Sequence, residues 1–338
     1  MPYLLKKIYL DSLHLILGDW RYFCYDENKH EKKLKTNYYN NTDECHSPEQ
    51  KVIFMANGFC NHAGLSDRLK GMTTTYSWCK EHKINFRIFH YHPFSLEEYL
   101  IPNIYDWRIS PNDICYNLNY VSVNHLMLNH LTNNLVSAGK IFHKEMRWLD
   151  SRIVPPKIQH HMYTNMYPES DEAFGTNFGE LFKPSTRVEK EITKHLEQIG
   201  RDYISISFRF MQLLGDFVDC DGDTLSPKEQ IELIDKSIRA VEIIKRRHSD
   251  IKTILITTDS RTFLEAVQTL PYVYTINGKI GHINFDNSDD ANMKTFIDFF
   301  MIANAQKSYL AKSEKMYNSD FARRASMIYH KKFETFSY

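Results

Sequence analysis

The sequence predicts an α/β protein with two Rossmann-like domains that face each other across a cleft. Short apolar strands alternate with helical segments along the 338 residues, for example at Lys51–Ala56 and Thr253–Thr257. The alternation restarts at Tyr203, after a break that contains a proline. We therefore predict an N-terminal domain over residues 1–186 and a C-terminal domain over residues 187–338.

The composition limits the classes of function. Hydrophobic residues make up 42% of the chain, which is enough to bury a core. The 42 acidic and 42 basic residues balance, so the basic surface of a nucleic-acid-binding protein is not expected. Six cysteines without a C-x-x-C pair favour reduced thiols and a cytoplasmic location. The apolar stretch Tyr3–Trp20 favours a core segment, with a peripheral position on the inner face of the membrane as the alternative.

In the first half, the polar residues 26–50 predict an exposed loop before the strand Lys51–Ala56. A loop containing Gly58 and Gly64 follows the strand and leads into a helix. A helix N-terminus after such a loop can bind an anion. The loop lacks both the G-x-G-x-x-G spacing and the lysine of a P-loop. A tight turn that needs the two glycines explains the loop equally well.

Two groups of residues raise the question of a metal site. His90, His92 and the pair His160–His161 are common ligand types, but no further ligands follow at a recognisable spacing. The acidic stretch D-C-D-G-D at residues 219–223 could bind a divalent ion, but it lacks a complete calcium loop. We predict no metal requirement.

The stretch Tyr203–Asp216, Y-I-S-I-S-F-R-F-M-Q-L-L-G-D, organises the second half. Its alternating apolar residues predict a strand that ends at Arg209, and Asp216 follows after a glycine. Ligands of open α/β sheets bind at the carboxyl ends of strands, and guanidinium groups match phosphate oxygens. An ordinary surface ion pair is the alternative interpretation.

Two further polar elements follow predicted strands. Thr258, Asp259 and Ser260 end the strand at 253–257, and Ser319 precedes the last predicted helix. A carboxylate such as Asp259 can accept from the N–H edge of guanine, and Ser319 can contact phosphate. Residues 258–260 also suit the N-cap of the next helix.

Together these residues resemble the GDP-fucose-dependent fucosyltransferase superfamily, which includes α1,2-, α1,6- and protein O-fucosyltransferases. The similarity runs from about residue 51 to 330, in the family's order. Four segments carry it: G-L-S-D-R-L-K-G at 64–71, I-S-I-S-F-R…G-D at 204–216, I-T-T-D-S at 256–260 and Y-N-S-D-F-A-R-R-A at 317–325. The second segment is similar to the family pattern H-x-R-x-G-D, and the fourth is similar to S-x-F-x-x-x-A.

The resemblance implies a GT-B fold with the nucleotide-sugar donor in the C-terminal domain and the acceptor largely in the N-terminal domain. It implies inverting, metal-independent transfer of L-fucose from GDP-fucose, without a cofactor. The acceptor would be a hydroxyl of a glycan or lipid-linked saccharide in polysaccharide biosynthesis.

The resemblance also implies roles for individual residues. Arg209 would bind the β-phosphate and stabilise the departing diphosphate. Asp259 would read guanine, and Ser319 would contact the phosphate or the base. The remaining donor-binding residues would be Gly64, Leu65, Ser66 and Arg68 in the first loop, with Arg68 as a second cation, together with Ser207, Thr258 and Phe321.

The sequence departs from the family pattern at two places. Ser207 replaces the family's histidine, so that contact to the nucleotide is expected to be weak or absent. Five residues, instead of one, separate Arg209 from Gly215, which leaves the position of Asp216 open. Asp216 and Asp219 are the predicted catalytic bases. A GT-B transferase for another nucleotide sugar and a non-catalytic glycan- or nucleotide-binding relative remain as alternatives.

Overall fold

The computed structural model describes residues 19–38, 45, 49–127, 138–154, 157–216, 224–279 and 288–338; for residues 19–26 and 138–141 it describes the backbone alone. The helices and strands of this part of the chain are, in order, α1 (Asp19–Lys35), β1 (Lys51–Ala56), α2 (Leu65–His82), β2 (Asn85–His90), β3 (Leu100–Pro102), β4 (Val121–Leu126), α3 (Ala138–Arg152), β5 (Gln159–Thr164), α4 (Asp171–Leu181), β6 (Phe182–Pro184), α5 (Thr186–Ile199), β7 (Tyr203–Phe208), α6 (Pro227–Arg247), β8 (Thr253–Thr258), α7 (Arg261–Val267), β9 (Val273–Thr275), α8 (Asp289–Asn304), β10 (Lys307–Lys312), α9 (Phe321–Met327) and β11 (Lys332–Ser337).

The contacts divide the chain into two compact units. The first comprises Met1–Ala63, Asp67–His92 and Asp106–Ser170, and the second comprises Gly64–Ser66, Pro93–Tyr105 and Asp171–Tyr338. The main division therefore falls at the start of α4, earlier in the chain than the predicted junction after residue 186. None of the described helices is both long enough and apolar enough to span a bilayer.

The first unit contains a parallel sheet with the strand order β2-β1-β5-β4. Strand β1 lies inside this sheet and has five consecutive buried residues, Val52–Ala56. A strand covered on both faces favours apolar side chains, because a buried polar group needs a hydrogen-bond partner, and this explains the continuous run V-I-F-M-A at residues 52–56. Strand β4 begins at Val121 and is preceded by a 3₁₀ turn at Pro111–Asp113.

Helix α1 overturns part of the prediction for residues 26–50, where we expected an exposed loop. Its residues Glu27, Glu31 and Leu34 are buried. A carboxylate oxygen of Glu27 contacts His125 Nδ1 and accepts from the Met127 amide at 3.2 Å. The Glu31 carboxylate pairs with Lys35 and Arg152. Because these buried carboxylates have partners, a charged sequence forms a packed helix face that composition does not reveal.

The second unit contains a parallel sheet with the strand order β11-β10-β7-β8-β9. Strand β7 is central, and all six of its residues are buried. Its last residue, Phe208, lies beside Thr258 at the end of β8. Arg209 and Asp259 therefore leave the sheet side by side at its carboxyl edge. The edge strand β11 was not predicted, because K-F-E-T-F-S is short and half polar.

A small antiparallel pair of strands joins residues 93–105 to the rest of the second unit. Strand β3 pairs with β6, and the Tyr99 ring stacks on Phe296 of α8 with ring centroids 4.7 Å apart. The segment therefore shares the core of the second unit although it lies early in the sequence.

Helix α4 belongs to the second unit because its residues contact α9. The Asp171 carboxylate pairs with Arg323 and with the buried Arg324, at 2.9 Å in each case. Gly175 lies so close to α9 that an added Cβ would meet the Met327 carbonyl oxygen at 2.1 Å. Around Gly179, in the same helix, no atom of the described residues lies within 4 Å of such a Cβ.

These two glycines give a matched test of the contact between α4 and α9. We expect Gly175→Ala to lower the free energy of unfolding by about 1–3 kcal/mol, because the helices must move apart. Gly179→Ala should leave it unchanged or raise it by up to about 1 kcal/mol, since alanine favours a helix. Urea unfolding followed by circular dichroism measures both. Equal effects of the two substitutions would contradict the close approach.

Candidate functional site

Arg209 follows the central strand of the second sheet and is anchored from two sides. The next residue, Phe210, is fully buried and packs on Phe263 with ring centroids 4.9 Å apart. Arg209 itself is 18% exposed, and its Nη1 lies 2.9 Å from Oδ2 of Asp259. A guanidinium group has five N–H donors, so this contact is compatible with binding a phosphate as well.

Asp259 organises the turn that carries Arg209. Its two carboxylate oxygens accept from the backbone amides of Phe210, at 2.8 Å, and Met211, at 2.7 Å. Met211 has a φ of +55°, a left-handed conformation that a side chain-bearing residue seldom adopts without support. Burial raises the pKa of Asp259, while Arg209 and the two amides act in the opposite direction. These contacts occupy much of the acceptor capacity that the predicted guanine contact requires.

Asp216, a predicted base, lies at the start of α7. Its carboxylate accepts from the Ser260 hydroxyl, from the Thr262 amide at 3.1 Å and from the Thr262 hydroxyl at 2.6 Å. Ser260 Oγ in turn accepts from the Phe263 amide at 3.1 Å, which confirms the N-cap interpretation for this residue. The other predicted base, Asp219, lies outside the described residues, as does the whole stretch 219–223.

Three of the predicted donor-binding side chains make local contacts. The hydroxyls of Ser207 and Thr257 lie 2.7 Å apart on neighbouring strands, and both residues are buried. Thr258 Oγ1 accepts from the Ser260 amide at 3.1 Å. Ser319 Oγ accepts from the Phe321 amide at 3.3 Å.

Phe321 packs edge-on against Phe299 of α8, with ring centroids 5.3 Å apart. It is partly buried, like Ser319 two residues before it. The start of α9 is thereby held against α8, in the second unit that carries Arg209 and Asp259.

The loop at residues 64–68 divides between the two units: Gly64–Ser66 group with the second and Arg68 with the first. Arg68 is 2% exposed. Its guanidinium donates to the carbonyl oxygens of Ala63 at 3.0 Å and of His62 and His92 at 3.3 Å. Burial lowers the pKa of Arg68 to about 10. Through these contacts, Arg68 stabilises its own loop. The role of Arg68 as a phosphate-binding cation stays a prediction.

A pocket of about 470 Å³ lies beside α7 in the second unit. This volume is in the range of small-molecule sites. Its wall contains the carboxylates of Asp216 and Asp259 and two cations, Arg261 and Lys279; the other lining residues are Leu264, Glu265, Gln268, Asn277 and Gly278. Two of the predicted site residues therefore share one polar pocket.

One carboxylate that we did not predict stands out in α8. Asp298 is buried, and its Oδ2 pairs with Lys294 Nζ at 2.5 Å. Its Oδ1 is buried without a hydrogen-bond partner among the described residues. Burial raises the pKa of Asp298, against the effect of Lys294. Lys294 also packs on Gly278, a residue of the pocket wall. The signal in the sequence is a Lys–Asp pair, four residues apart, within an otherwise apolar helix.

Of the histidines considered as metal ligands, His90, His160 and His161 have other side-chain partners. His160 lies 2.9 Å from Gln50 and 2.7 Å from Ser122, and His90 lies 3.3 Å from Arg68. Among the described residues, no group of three or more histidine, cysteine, aspartate or glutamate side chains is placed to hold a metal ion.

Comparison with known proteins gives structural relatives only. No protein-family model and no curated protein sequence matches the chain. Among solved structures, NodZ α-1,6-fucosyltransferase, soaked with GDP-fucose, is 14% identical, with a TM-score of 0.50 over 83% of this chain and 92% of its own. NodZ has been solved from Bradyrhizobium.

Two other fucosyltransferases are similar. A point mutant of Arabidopsis thaliana FUT1 in complex with GDP is 11% identical, with a TM-score of 0.53 over 99% of this chain and 79% of its own. The apo form of POFUT1 is 10% identical, with a TM-score of 0.51 over 87% of this chain and 99% of its own. This chain has the GT-B fold of the fucosyltransferases. The prediction of an α/β protein with two Rossmann-like domains of the GT-B type is confirmed.

The contact between Asp216 and α7 can be tested in this GT-B protein by a double-mutant cycle. Asp216→Asn and Ser260→Ala should each lower the free energy of unfolding by about 1 kcal/mol. Their effects should be coupled by at least about 0.5 kcal/mol, because the two side chains share a hydrogen bond. Thr269→Ala, which removes a hydroxyl bound to the Ala266 carbonyl oxygen beyond the other end of α7, is the control. Additive effects of the first pair would show that the contact does not form.

Proposed function

We propose that this chain is a glycosyltransferase that moves L-fucose from GDP-fucose to a hydroxyl of a glycan or a lipid-linked saccharide. The observation that supports the proposal most directly is Arg209, fixed by Asp259 at the carboxyl end of the central strand in a fold shared with fucosyltransferases. Open α/β sheets bind ligands at this edge.

In the proposed reaction, the acceptor oxygen attacks the anomeric carbon of fucose with inversion. The bond from that carbon to the β-phosphate oxygen breaks, and GDP leaves with the bonding electrons. Negative charge grows on the diphosphate during this step. Arg209 would stabilise it through charged hydrogen bonds, and the carboxylate of Asp259 would keep the guanidinium in place. Metal independence is part of the proposal.

A base is needed to take the proton of the acceptor hydroxyl. Asp216 and Asp219 stay the candidates. The three donors that already contact Asp216 support a structural role for it. If Asp216 accepts the proton, Asp216→Asn will slow transfer by about a hundredfold or more without weakening GDP binding.

Ser207 keeps one alternative open. Because its hydroxyl lies against Thr257, it is less suited to contact a nucleotide than the histidine that the fucosyltransferase pattern has there. A GT-B transferase for another nucleotide sugar would fit this difference. A relative that binds a nucleotide or glycan without catalysis is the other alternative. A role in polysaccharide biosynthesis, in the cytoplasm or on the inner face of the membrane, belongs to the leading proposal.

Thermal stability with added nucleotides tests the donor. We expect GDP and GDP-fucose to raise the melting temperature, with or without EDTA, and UDP and ADP to have little effect. Arg209→Ala should abolish the shift relative to the melting temperature of the unliganded variant. Arg201→Ala is the matched control, because Arg201 is exposed and precedes the N-terminal end of β7, whereas Arg209 follows its C-terminal end.

The outcomes separate the alternatives. A shift that requires manganese would reject metal-independent binding, and a preference for UDP or ADP would indicate another nucleotide sugar. A GDP shift without transfer to any hydroxyl acceptor would favour the non-catalytic relative. A GDP shift that is unchanged in Arg209→Ala would remove Arg209 from the proposed site.

Two carboxylates, Asp259 and Asp298, could read the base, and inosine diphosphate separates them because it lacks the 2-amino group of guanine. We expect Asp298→Asn to reduce the preference for GDP over inosine diphosphate by about tenfold, because Oδ1 of Asp298 has no hydrogen-bond partner among the described residues. Asp259→Asn should weaken both nucleotides alike, because it releases Arg209. Calorimetric titration measures the dissociation constants. Loss of the preference in Asp259→Asn alone would return base reading to Asp259.

A further inference from the structure

A chain of hydrogen bonds between uncharged side chains runs through the first unit to the carboxyl edge of its sheet. It begins at Gln159 and His161 in β5 and continues through Tyr38 and Tyr163 to Asn57, directly after β1, and then to the side chain of Tyr116. Gln159, His161 and Tyr163 are two residues apart in β5, so their side chains point to the same face of the sheet. We call this arrangement the Gln159–Tyr116 chain.

The direction of the first hydrogen bonds follows from Gln159. Its Nε2 donates to the Asp113 carbonyl oxygen at 2.7 Å, and its Oε1 accepts from the Cys115 amide at 3.0 Å. An amide oxygen can only accept, so Nε2 of His161, at 3.0 Å, donates to it. Burial lowers the pKa of His161 to about 3, so the ring is neutral and its Nδ1 is an acceptor.

The remaining hydrogen bonds then have one consistent direction. The Tyr38 hydroxyl donates to His161 Nδ1 at 2.9 Å and therefore accepts from the Tyr163 hydroxyl at 2.7 Å. Tyr163 accepts from Asn57 Nδ2 at 3.2 Å.

The last link reaches Tyr116. Asn57 Nδ2 also donates to the Tyr116 hydroxyl oxygen, at 3.4 Å. The Phe59 amide donates to Oδ1 of Asn57 at 3.2 Å, which fixes the orientation of the Asn57 side chain.

The chain thus ends in a hydroxyl that can donate. In the described part of the protein, Asn57 is the one hydrogen-bond partner of the Tyr116 hydroxyl, and it is a donor. Tyr116 is partly exposed. The Phe59 ring lies 5.8 Å from the Tyr116 ring and is 38% exposed. An apolar ring and an oriented hydroxyl donor therefore lie side by side.

We propose that Phe59 and Tyr116 form a saccharide-binding subsite that holds the sugar of the acceptor substrate. The C–H face of a pyranose can pack on the Phe59 ring, while a sugar oxygen accepts from the Tyr116 hydroxyl. Every side chain of the Gln159–Tyr116 chain is uncharged, and the two charged groups that act on the neighbouring Cys60, Arg68 and Glu27, are of opposite sign. These surroundings suit a neutral sugar better than a phosphate or a carboxylate. As an acceptor subsite, this inference rests on the proposed function.

In such a subsite, the hydrogen-bond chain fixes the binding side chains in place. Tyr38, His161 and Tyr163 are fully buried and hold one another in fixed positions. Asn57 and Tyr116 are therefore oriented before a ligand arrives, so little conformational entropy is lost on binding.

Saturation-transfer NMR with methyl glycosides of glucose, galactose, mannose and N-acetylglucosamine tests the subsite. We expect the wild type to transfer saturation to the ring protons of at least one glycoside. Phe59→Ala should abolish the transfer. Tyr116→Phe, which removes only the hydroxyl, should weaken binding by about two- to tenfold. Tyr91→Ala is the control, because this aromatic residue is 42% exposed in the same unit and lies outside the hydrogen-bond chain.

Three outcomes would overturn the subsite: no transfer to any glycoside in the wild type, equal transfer in Phe59→Ala, or an equal loss in Tyr91→Ala. Loss of GDP binding in Phe59→Ala would also overturn it, because the ring would then stack on a nucleotide base. Octyl glycosides of the same sugars, below their critical micelle concentrations, distinguish the sources. If octyl and methyl glycosides bind with equal affinity, the result supports a free glycan. If the octyl glycosides bind more tightly, it supports a lipid-linked saccharide.

The melting temperature of every variant is measured with and without GDP. Glycoside binding that depends on Phe59 without any GDP shift in the wild type would support the saccharide subsite while rejecting the proposed donor. A normal GDP shift without glycoside binding would reject the subsite alone.

Discussion

The candidate site of the second unit depends on how the buried carboxylate of Asp259 is satisfied. A buried charge is unfavourable unless donors surround it, and the donors here are Arg209 and the amides of Phe210 and Met211. The same contacts hold the backbone in an unusual turn and orient the guanidinium. They require β7 and β8 to be neighbours in the sheet, because only then do residues 209–211 and Asp259 leave the sheet together.

At the carboxyl edge of the first sheet, the Gln159–Tyr116 chain follows the same rule with uncharged groups. From Gln159 to Tyr163 and Asn57, each buried polar side chain has a partner, and neutral hydrogen bonds replace the ion pair. Under the two proposals, Arg209 serves a phosphate and the Gln159–Tyr116 chain serves a neutral sugar. Under the proposed function, this chemical difference matches the two substrates of a glycosyltransferase, a nucleotide-sugar donor and a saccharide acceptor.

Glycines and ion pairs between distant parts of the sequence define the borders of the second unit. Asp171 pairs with Arg324 of α9, near the C-terminus, and Gly175 packs against the same helix. Tyr99 stacks on Phe296. A junction placed at a proline-containing break could not include these contacts, because they join residues far apart in the chain. The prediction of helix α1 as part of a loop failed for a related reason. Glu27 and Glu31 are buried by partners on other elements.

The sequence by itself determined several strands of the two sheets, β7 and β8 among them, and the residues that follow them. Periodicity is a local property, so the ends of β7 and β8, and with them Arg209 and Asp259, could be located before the structure was known. Only the tertiary structure decided which side chains are partners. It paired Asp259 with the turn at 210–211 and placed Asp216 against α7. It left an oxygen of Asp298 without a partner among the described residues, and it joined Gln159 to Tyr116. Hydrogen bonds of this kind depend on distances between separate elements, which no short stretch of sequence encodes.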